Sequence, residues 1–211
     1  MDLPVSLQDQ SIAEFLDTLA ARVPAPGGGA TAALHVAQAA ALVAMVGRYS
    51  DSVKYDAHRA QIIATVDEAD AIRERALGLA ADDEAAFTAV SQAYGMPKGT
   101  DQERQQRRDA IAESLIGAAE PPIQVIASAG RVVELAAVLV PISNRNLIAD
   151  LAAAAEAARA GAATGRVNIE VNMSGITDPG ARARCAASAT EVDTIQGDAD
   201  KVIAAVRAEL A

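Results

Sequence analysis

The sequence predicts an all-α protein, a bundle of long helices. Hydrophobic residues make up 51% of the 211 residues but aromatic residues only 2%, so small aliphatic side chains must build the core. Alanine has the highest helix propensity, and apolar residues recur at steps of three and four along most of the chain. Cores of small side chains bury little area per residue, so a subunit interface is expected as well. No linker divides the chain, which predicts a single domain over residues 1–211.

The amino-terminal part predicts one short helix and then a central one. Ser11 and Glu14 form a capping-box pattern before the first helix. Pro26, Gly27, Gly28 and Gly29 then precede residues 30–46, which are apolar almost all round and are therefore expected to be buried. Free N–H groups at the start of such a helix favour the binding of an anion. A glycine-rich turn before a helix is also common for purely structural reasons. Both interpretations stay open.

A polar turn through Lys54 leads into a long amphipathic helix that is predicted to end near Gly95. Its apolar stripe passes through Asp83, whereas Asp82 and Glu84 turn away from it. A carboxylate on a buried stripe costs desolvation energy unless it is paired or hydrogen-bonded. Asp83 is thus either a functional carboxylate or part of a helix kink or an interface ion pair.

The second half of the chain predicts further helices. Residues 98–109 are expected to form a charged loop, and Pro121-Pro122 to separate one helix from the next, which covers 123–140. In the polar turn 143–146, Asn144 or Asn146 is a candidate cap for a helix over 147–163 that carries Asp150 on its inner face. Residues 165–172 alternate polar and apolar, which fits a short extended segment or a continued helix. The last helix is expected to run from Pro179 to about Leu210.

Composition excludes several classes of protein. The net charge of −10 and the sequence pI near 4.6 argue against nucleic-acid binding. The single cysteine rules out an internal disulfide and a cysteine-based zinc site. Residues 1–6 lack the features of a signal peptide, and residues 30–46 are too short and too weakly apolar for a membrane span. We therefore expect a soluble cytoplasmic protein without a membrane anchor.

An ordered set of motifs resembles the cyclodeaminase domain of the formiminotransferase-cyclodeaminase family, which also contains stand-alone methenyltetrahydrofolate cyclohydrolases. The set runs from about residue 11 to residue 175 and covers most of the chain. Its members are Ala25-Pro26-Gly27-Gly28-Gly29, Lys54-Tyr55, Asp83-Glu84-Ala85-Ala86-Phe87, Tyr94-Gly95-Met96-Pro97, Pro121-Pro122, Asn144-Arg145-Asn146-Leu147-Ile148-Ala149-Asp150 and Arg166-Val167-Asn168-Ile169.

The resemblance implies an all-helical homodimer that acts at the N5–C–N10 centre of tetrahydrofolate derivatives, with the folate as substrate and no metal or redox cofactor. Buried carboxylates at Asp83 and Asp150 suit acid–base catalysis and stabilisation of a cation. Substrate-binding residues would be Pro26, the three glycines at 27–29, Lys54, Asn144 and Asn146, with Arg145 as a further candidate for an anionic group.

The resemblance leaves two questions open. The family turn often reads Gly-Asn-Pro-Asn followed by Ser-Asp, whereas Ser143, Arg145 and Ala149 stand at those positions here. These departures motivate an alternative hypothesis, a non-catalytic dimeric helical protein that binds folate or serves as a scaffold. The absence of an attached formiminotransferase domain favours the cyclohydrolase reaction over the cyclodeaminase reaction.

Overall fold

Six α-helices, five of them longer than 20 residues, make up most of the described part of the chain, and the prediction of an all-α protein is confirmed. The structure is a computed structural model that describes residues 10–210. Residues 1–6, which are predicted to lack a signal peptide, lie outside this range. Helices make up 86% of residues 10–210, and this part of the chain contains no strand. The helices are α1 (Ile12–Ala20), α2 (Gly28–Arg48), α3 (Arg59–Gly95), α4 (Asp101–Leu139), α5 (Ile148–Met173) and α6 (Pro179–Leu210), with short 3-10 helices at Val53–His58 and Arg145–Leu147.

Helix α2 is the centre of the bundle, because its small apolar side chains let three other helices approach it. It packs against α3, α4 and α5, while α6 covers the outer side of α4 and α5. A Cβ atom added to Gly161 of α5 would lie 2.7 Å from Val36 Cγ2 and 3.0 Å from the Ala32 carbonyl oxygen of α2. Only glycine permits that separation between the two helices. The central buried helix predicted from residues 30–46 is confirmed.

Helix α1 has the predicted cap but not the predicted packing. The Ser11 hydroxyl accepts from the Glu14 N–H, and the Glu14 carboxylate accepts from the Ser11 N–H at 2.8 Å, which confirms the capping box. Of its apolar side chains only Phe15 is buried, whereas Ile12 is 81% exposed and Leu16 is 53% exposed. The amphipathic pattern thus predicted the helix correctly, but most of the apolar stripe faces outward.

Helix α4 corrects two predictions. The predicted loop is confined to residues 98–100, because Thr100 and Glu103 build a second capping box and α4 begins at Asp101. The charged residues up to Asp109 form a solvated helical face. Pro121 and Pro122 lie inside the 39-residue helix and do not break it. A proline cannot donate to the carbonyl four residues earlier, so Pro122 frees the Ala118 oxygen, and Asn172 of α5 donates to it at 3.4 Å.

The carboxy-terminal half resolves the remaining predictions. Asn144 is the cap, since its side chain accepts from the Asn146 N–H at 3.1 Å before the short 3-10 helix that leads into α5. The alternating segment 165–172 continues α5 as a helix and is not an extended strand. The predicted last helix is confirmed, and Asp178 caps it by accepting from the Ala181 N–H at 2.6 Å.

Two helices are long and apolar enough, by length and composition alone, to cross a membrane. They are α2 and α4, and the sequence had predicted a shorter apolar run for α2. Of the residues in their most apolar windows, 56% and 50% are buried inside the protein. The core helices of soluble proteins pass the same test, so burial in the bundle accounts for their composition.

Candidate active site

A cleft of about 440 Å³ opens where the start of α2 meets α3, α4 and α5. It is lined by the glycine segment, by the carboxy-terminal half of α3 and by one face each of α4 and α5. The lining residues are Pro24, Ala25, Gly27, Gly28, Gly29, Asp83, Ala86, Phe87, Val90, Tyr94, Leu115, Ala118, Asn168, Val171 and Asn172. Among the described residues, Asp83 is the only carboxylate in this lining.

The glycine segment is placed directly against Asp83. A Cβ atom added to Gly29 would lie 2.0 Å from Asp83 Oδ1, which no real contact allows, so any larger residue at 29 would displace the carboxylate. Gly28 is less restricted, since its nearest neighbour would be Asn168 Oδ1 at 3.7 Å. Gly27 caps α2 and has open space around it. The structure therefore brings the predicted glycines and Asp83 together. Pro26 precedes them but does not line the cleft.

The surroundings of Asp83 favour its protonated form. Below the cleft its side chain borders a narrow crevice whose other walls include Leu79, Pro121, Pro122 and Val125. Burial in these apolar walls, with a smaller contribution from the negative charge of Glu84, raises the pKa of Asp83 above its ordinary value. Within residues 10–210 its carboxylate has no hydrogen-bond or ion-pair partner. A poised and unpaired carboxyl group in a cleft is the usual signature of a proton-transfer site.

The acidic neighbours of Asp83 differ from it as the sequence predicts. Asp82 is exposed and forms an ion pair with Arg75 at 3.1 Å, so its charge is compensated on the surface. Glu84 is partly buried, which raises its pKa. Of the three consecutive acids, only Asp83 enters the cleft.

Two asparagines of α5 complete the polar lining, and sequence reasoning assigned neither of them a role. Asn168 and Asn172 are four residues apart and therefore lie on one face of the helix. The Asn168 Nδ2 atom is buried and has no acceptor among the described residues, whereas Asn172 is held by the Ala118 carbonyl. If residues 165–172 are treated as helix and not as an extended segment, the spacing of four places Asn168 and Asn172 on one face, and the sequence then indicates both.

The other predicted site residues lie at the opposite end of α2. We call Lys54, Asn144, Asn146 and Asp150 the far-end cluster. Asn144 is tied to the end of α2, because its N–H donates to Ser50 Oγ at 2.8 Å and its side chain donates to the Tyr49 carbonyl at 3.2 Å. The Lys54 ammonium lies 4.6 Å from the centre of the Tyr55 ring.

Within one chain the far-end cluster does not reach the cleft. Asp150 precedes Asn168 on the same straight helix by about 27 Å, at 1.5 Å per residue. None of the four cluster residues lines the cleft. Arg145 is engaged elsewhere, since it pairs with Glu209 of α6 at 2.9 Å. The two predicted carboxylates therefore do not converge within one chain, because they belong to opposite ends of the bundle.

The cleft supplies the groups that proton transfer at a small molecule requires. Residues 10–210 contain no group of three or more His, Cys, Asp or Glu side chains that could hold a metal ion. The cleft offers one carboxyl group for proton transfer, amides that both donate and accept, and an aromatic wall of Phe87 and Tyr94 against which a flat ring can stack.

Fold and cleft together define an all-helical protein with a cleft of small-molecule size built around one partly buried carboxylate. The chain belongs to the formiminotransferase-cyclodeaminase family, whose pattern it matches over residues 11–191. The resemblance noted in the sequence is thus confirmed.

Individual relatives support the same assignment. The chain is 36% identical over 171 residues to a methenyltetrahydrofolate cyclohydrolase of Methylorubrum extorquens, a match that covers 81% of this chain and 82% of the relative. It is 30% identical to the formimidoyltransferase-cyclodeaminase of Mus musculus over 82% of this chain, and this match spans about a third (32%) of that longer protein.

A solved structure shares the fold. The crystal structure of formiminotetrahydrofolate cyclodeaminase from Thermotoga maritima superposes with a TM-score of 0.86 at 26% identity, and the match covers 97% of this chain and 100% of the other. The similarity therefore extends through the whole bundle, including the helices that build the cleft.

Proposed function

We propose that the protein is an enzyme of one-carbon metabolism that acts at the N5–C–N10 centre of tetrahydrofolate in this cleft. The observation that carries the proposal is the unpaired, partly buried carboxyl of Asp83 beneath the glycine segment, in a chain whose relatives bear the names of these two folate enzymes. The reactions require proton transfer at nitrogen and oxygen, which a carboxyl group performs without a metal or redox cofactor.

In the cyclohydrolase reaction, water attacks the carbon of the 5,10-methenyl cation. Asp83 takes one proton from the water as the C–O bond forms, which gives a neutral hydroxyl-bearing intermediate. The resulting carboxylic acid then returns its proton to N5 while the C–N5 bond breaks. The hydroxyl proton leaves to solvent, and the products are 10-formyltetrahydrofolate and one proton. An ionised Asp83 also attracts the cationic substrate, and this attraction opposes the effect of burial on its pKa.

In the cyclodeaminase reaction, N10 attacks the carbon of the protonated 5-formimino group. Asp83 accepts the N10 proton and delivers it to the departing nitrogen, so ammonia leaves and the 5,10-methenyl cation forms. The same carboxyl group therefore serves both reactions. We favour hydrolysis, because the chain is 36% identical to the cyclohydrolase of M. extorquens but 30% identical to the mouse formimidoyltransferase-cyclodeaminase and 26% identical to the cyclodeaminase of T. maritima.

The test is an absorbance assay of the methenyl chromophore with the purified protein. 5,10-Methenyltetrahydrofolate is supplied in one series and 5-formiminotetrahydrofolate in another, and the spontaneous rates are subtracted. Enzyme-dependent loss of absorbance in the first series supports hydrolysis, and a gain in the second supports the cyclodeaminase reaction. Binding of folate without turnover in either series would leave the non-catalytic folate-binding alternative.

We further propose that the protein is a homodimer in which the far-end cluster of one chain completes the cleft of the other. The far end exposes apolar side chains beside its polar groups: Val53 is 83% exposed and Tyr49 is 63% exposed. A two-fold axis that sets the α2 helices antiparallel would place each far end beside the opposite cleft. Sedimentation equilibrium that gives twice the chain mass of 21.6 kDa supports this proposal, and a monomer at catalytic concentrations contradicts it.

A cytoplasmic location remains a prediction.

A further inference from the structure

Asn168 carries a hydrogen-bond donor that the folded chain does not use. Its Nδ2 atom is buried and has no acceptor among residues 10–210, while its Oδ1 faces the start of α2 near Gly28. A buried N–H without an acceptor costs about 1–3 kcal/mol, so such a group is retained where something else receives it. The other cleft asparagine differs, because Asn172 already donates to the Ala118 carbonyl.

Asp83 presents the complementary deficiency. Asn168 and Asp83 both line the cleft and the narrow crevice at its floor. Within residues 10–210 the carboxylate lacks a donor and the amide nitrogen lacks an acceptor. A ligand group seated in the cleft that both donates and accepts satisfies the two side chains, with the Asn168 amide turned so that its Nδ2 atom faces the cleft.

We propose that Asn168 contacts the reacting centre and donates its Nδ2–H to the oxygen that hydrolysis adds to the carbon. This inference rests on the proposed function. During collapse of the intermediate the hydroxyl proton leaves to solvent ahead of C–N5 cleavage. The electron pair that it leaves behind forms the C=O bond as the C–N5 bond breaks and N5 takes the proton held by Asp83. Negative charge develops on the oxygen as its proton leaves, so a donor aimed at it stabilises the transition state more than the bound substrate.

The test compares Asn168→Ala with Glu170→Gln, an exposed change of polar group on the same helix that does not face the cleft. Loss of a donor of this type lowers kcat by about 10²-fold. We expect this fall for Asn168→Ala with KM within about threefold, because the donor acts mainly in the transition state. Glu170→Gln should retain wild-type rates, and circular dichroism checks the fold of each variant.

A second variant separates contact from packing and does not depend on the alanine variant folding. Asn168→Asp has the same shape but sets a second carboxylate in the crevice. The charged and titratable groups near this pair are Asp83 and Glu84 of α3 and the Tyr94 phenol; the residues of α2, α4 and α5 that line the cleft and crevice bring no charge. Two carboxylates in one crevice share a proton, and the protonated pair regains an O–H donor. The ratio of variant to wild-type kcat should therefore rise as the pH falls.

The outcomes separate the inference from the proposed function. Wild-type turnover with less than about threefold loss in Asn168→Ala, and a pH-independent ratio for Asn168→Asp, would overturn the inference and leave the function standing. If the wild type turns over neither folate, the affinity of both proteins for 5-formyltetrahydrofolate is measured instead. A tenfold weaker affinity in Asn168→Ala would support the contact between Asn168 and the ligand, and an unchanged affinity would refute it.

Discussion

Polar residues of similar chemistry lie beside the two ends of α2, but only those at one end have their hydrogen bonds satisfied within the fold. At its amino-terminal end Asp83 is partly buried and has no partner, and Asn168 has an unused donor. At the other end, about 30 Å away, Asn144 is fully engaged with the backbone turn that it caps. The comparison teaches that a polar residue type in a motif does not reveal whether its hydrogen bonds are committed to the fold. The uncommitted groups mark the site.

The largest effect is expected at the cleft end. Asp83→Asn removes the proposed proton-transfer group and should lower kcat by about 10³-fold with the fold retained, since general acid–base catalysis contributes about 10²–10⁴-fold. Asp82→Asn is the matched control, because the neighbouring carboxylate is exposed and paired with Arg75. Stopped-flow or steady-state turnover of 5,10-methenyltetrahydrofolate measures both. Equal losses in the two variants would show that charge on this turn, and not the cleft carboxyl, matters.

A smaller effect is expected from the glycine segment. Gly29→Ala should lower kcat by about 10²-fold, because the new methyl group displaces the Asp83 carboxylate from its place against α2. Gly28→Ala should cost less than tenfold, as its Cβ would meet nothing closer than 3.7 Å. Melting temperatures of both variants show whether the loss arises in the site or in the fold. Similar kinetics for the two variants would contradict the idea that the close approach of Gly29 to the Asp83 carboxylate matters for turnover.

The far end is tested by mixing subunits. If Asp150 serves the cleft of the opposite chain, Asp83→Asn and Asp150→Asn are each impaired as homodimers. Co-refolded mixtures should regain roughly a quarter of wild-type activity, because half the dimers are mixed and each has one intact site of two. Mixing two Asp83→Asn preparations is the control and must stay inactive. Full activity of Asp150→Asn alone would show that the far end is structural.

The smallest effect concerns stability. Burial raises the folded-state pKa of Asp83 above its ordinary value of 3.8, so the folded chain holds this proton more tightly than the unfolded chain. The resulting penalty is absent in acid and appears as the pH rises through the unfolded and then the folded pKa. Asp83→Asn should therefore raise the Tm at about pH 8, and raise it less at about pH 4. Thermal melts at both pH values measure it; a destabilised variant would contradict the assigned burial.

The sequence predicted the helical class, the cap at Ser11 and the inward position of Asp83, because these depend on local pattern. It narrowed the second cap to Asn144 or Asn146, and Asn144 is the one that caps. It misjudged the double proline, since tolerance of Pro122 inside a helix depends on a partner from another helix, Asn172, which lies fifty residues later. It could not separate Asp150 from Asp83 in space, as two inward-facing carboxylates look alike on helices whose ends are not yet placed. Asn168 was missed because the conformation of its segment was undecided.

Pro122 also has a mechanical consequence for the bundle. The Ala118 oxygen, which Pro122 cannot bind, accepts instead from Asn172, so a polar contact joins α4 to α5 beside the cleft. Sliding by a single residue, about 1.5 Å, would break this contact and shift Asn168 relative to Asp83, which lines the same cleft. An interruption in the hydrogen bonding of one helix thereby helps to align the side chains at the floor of the cleft.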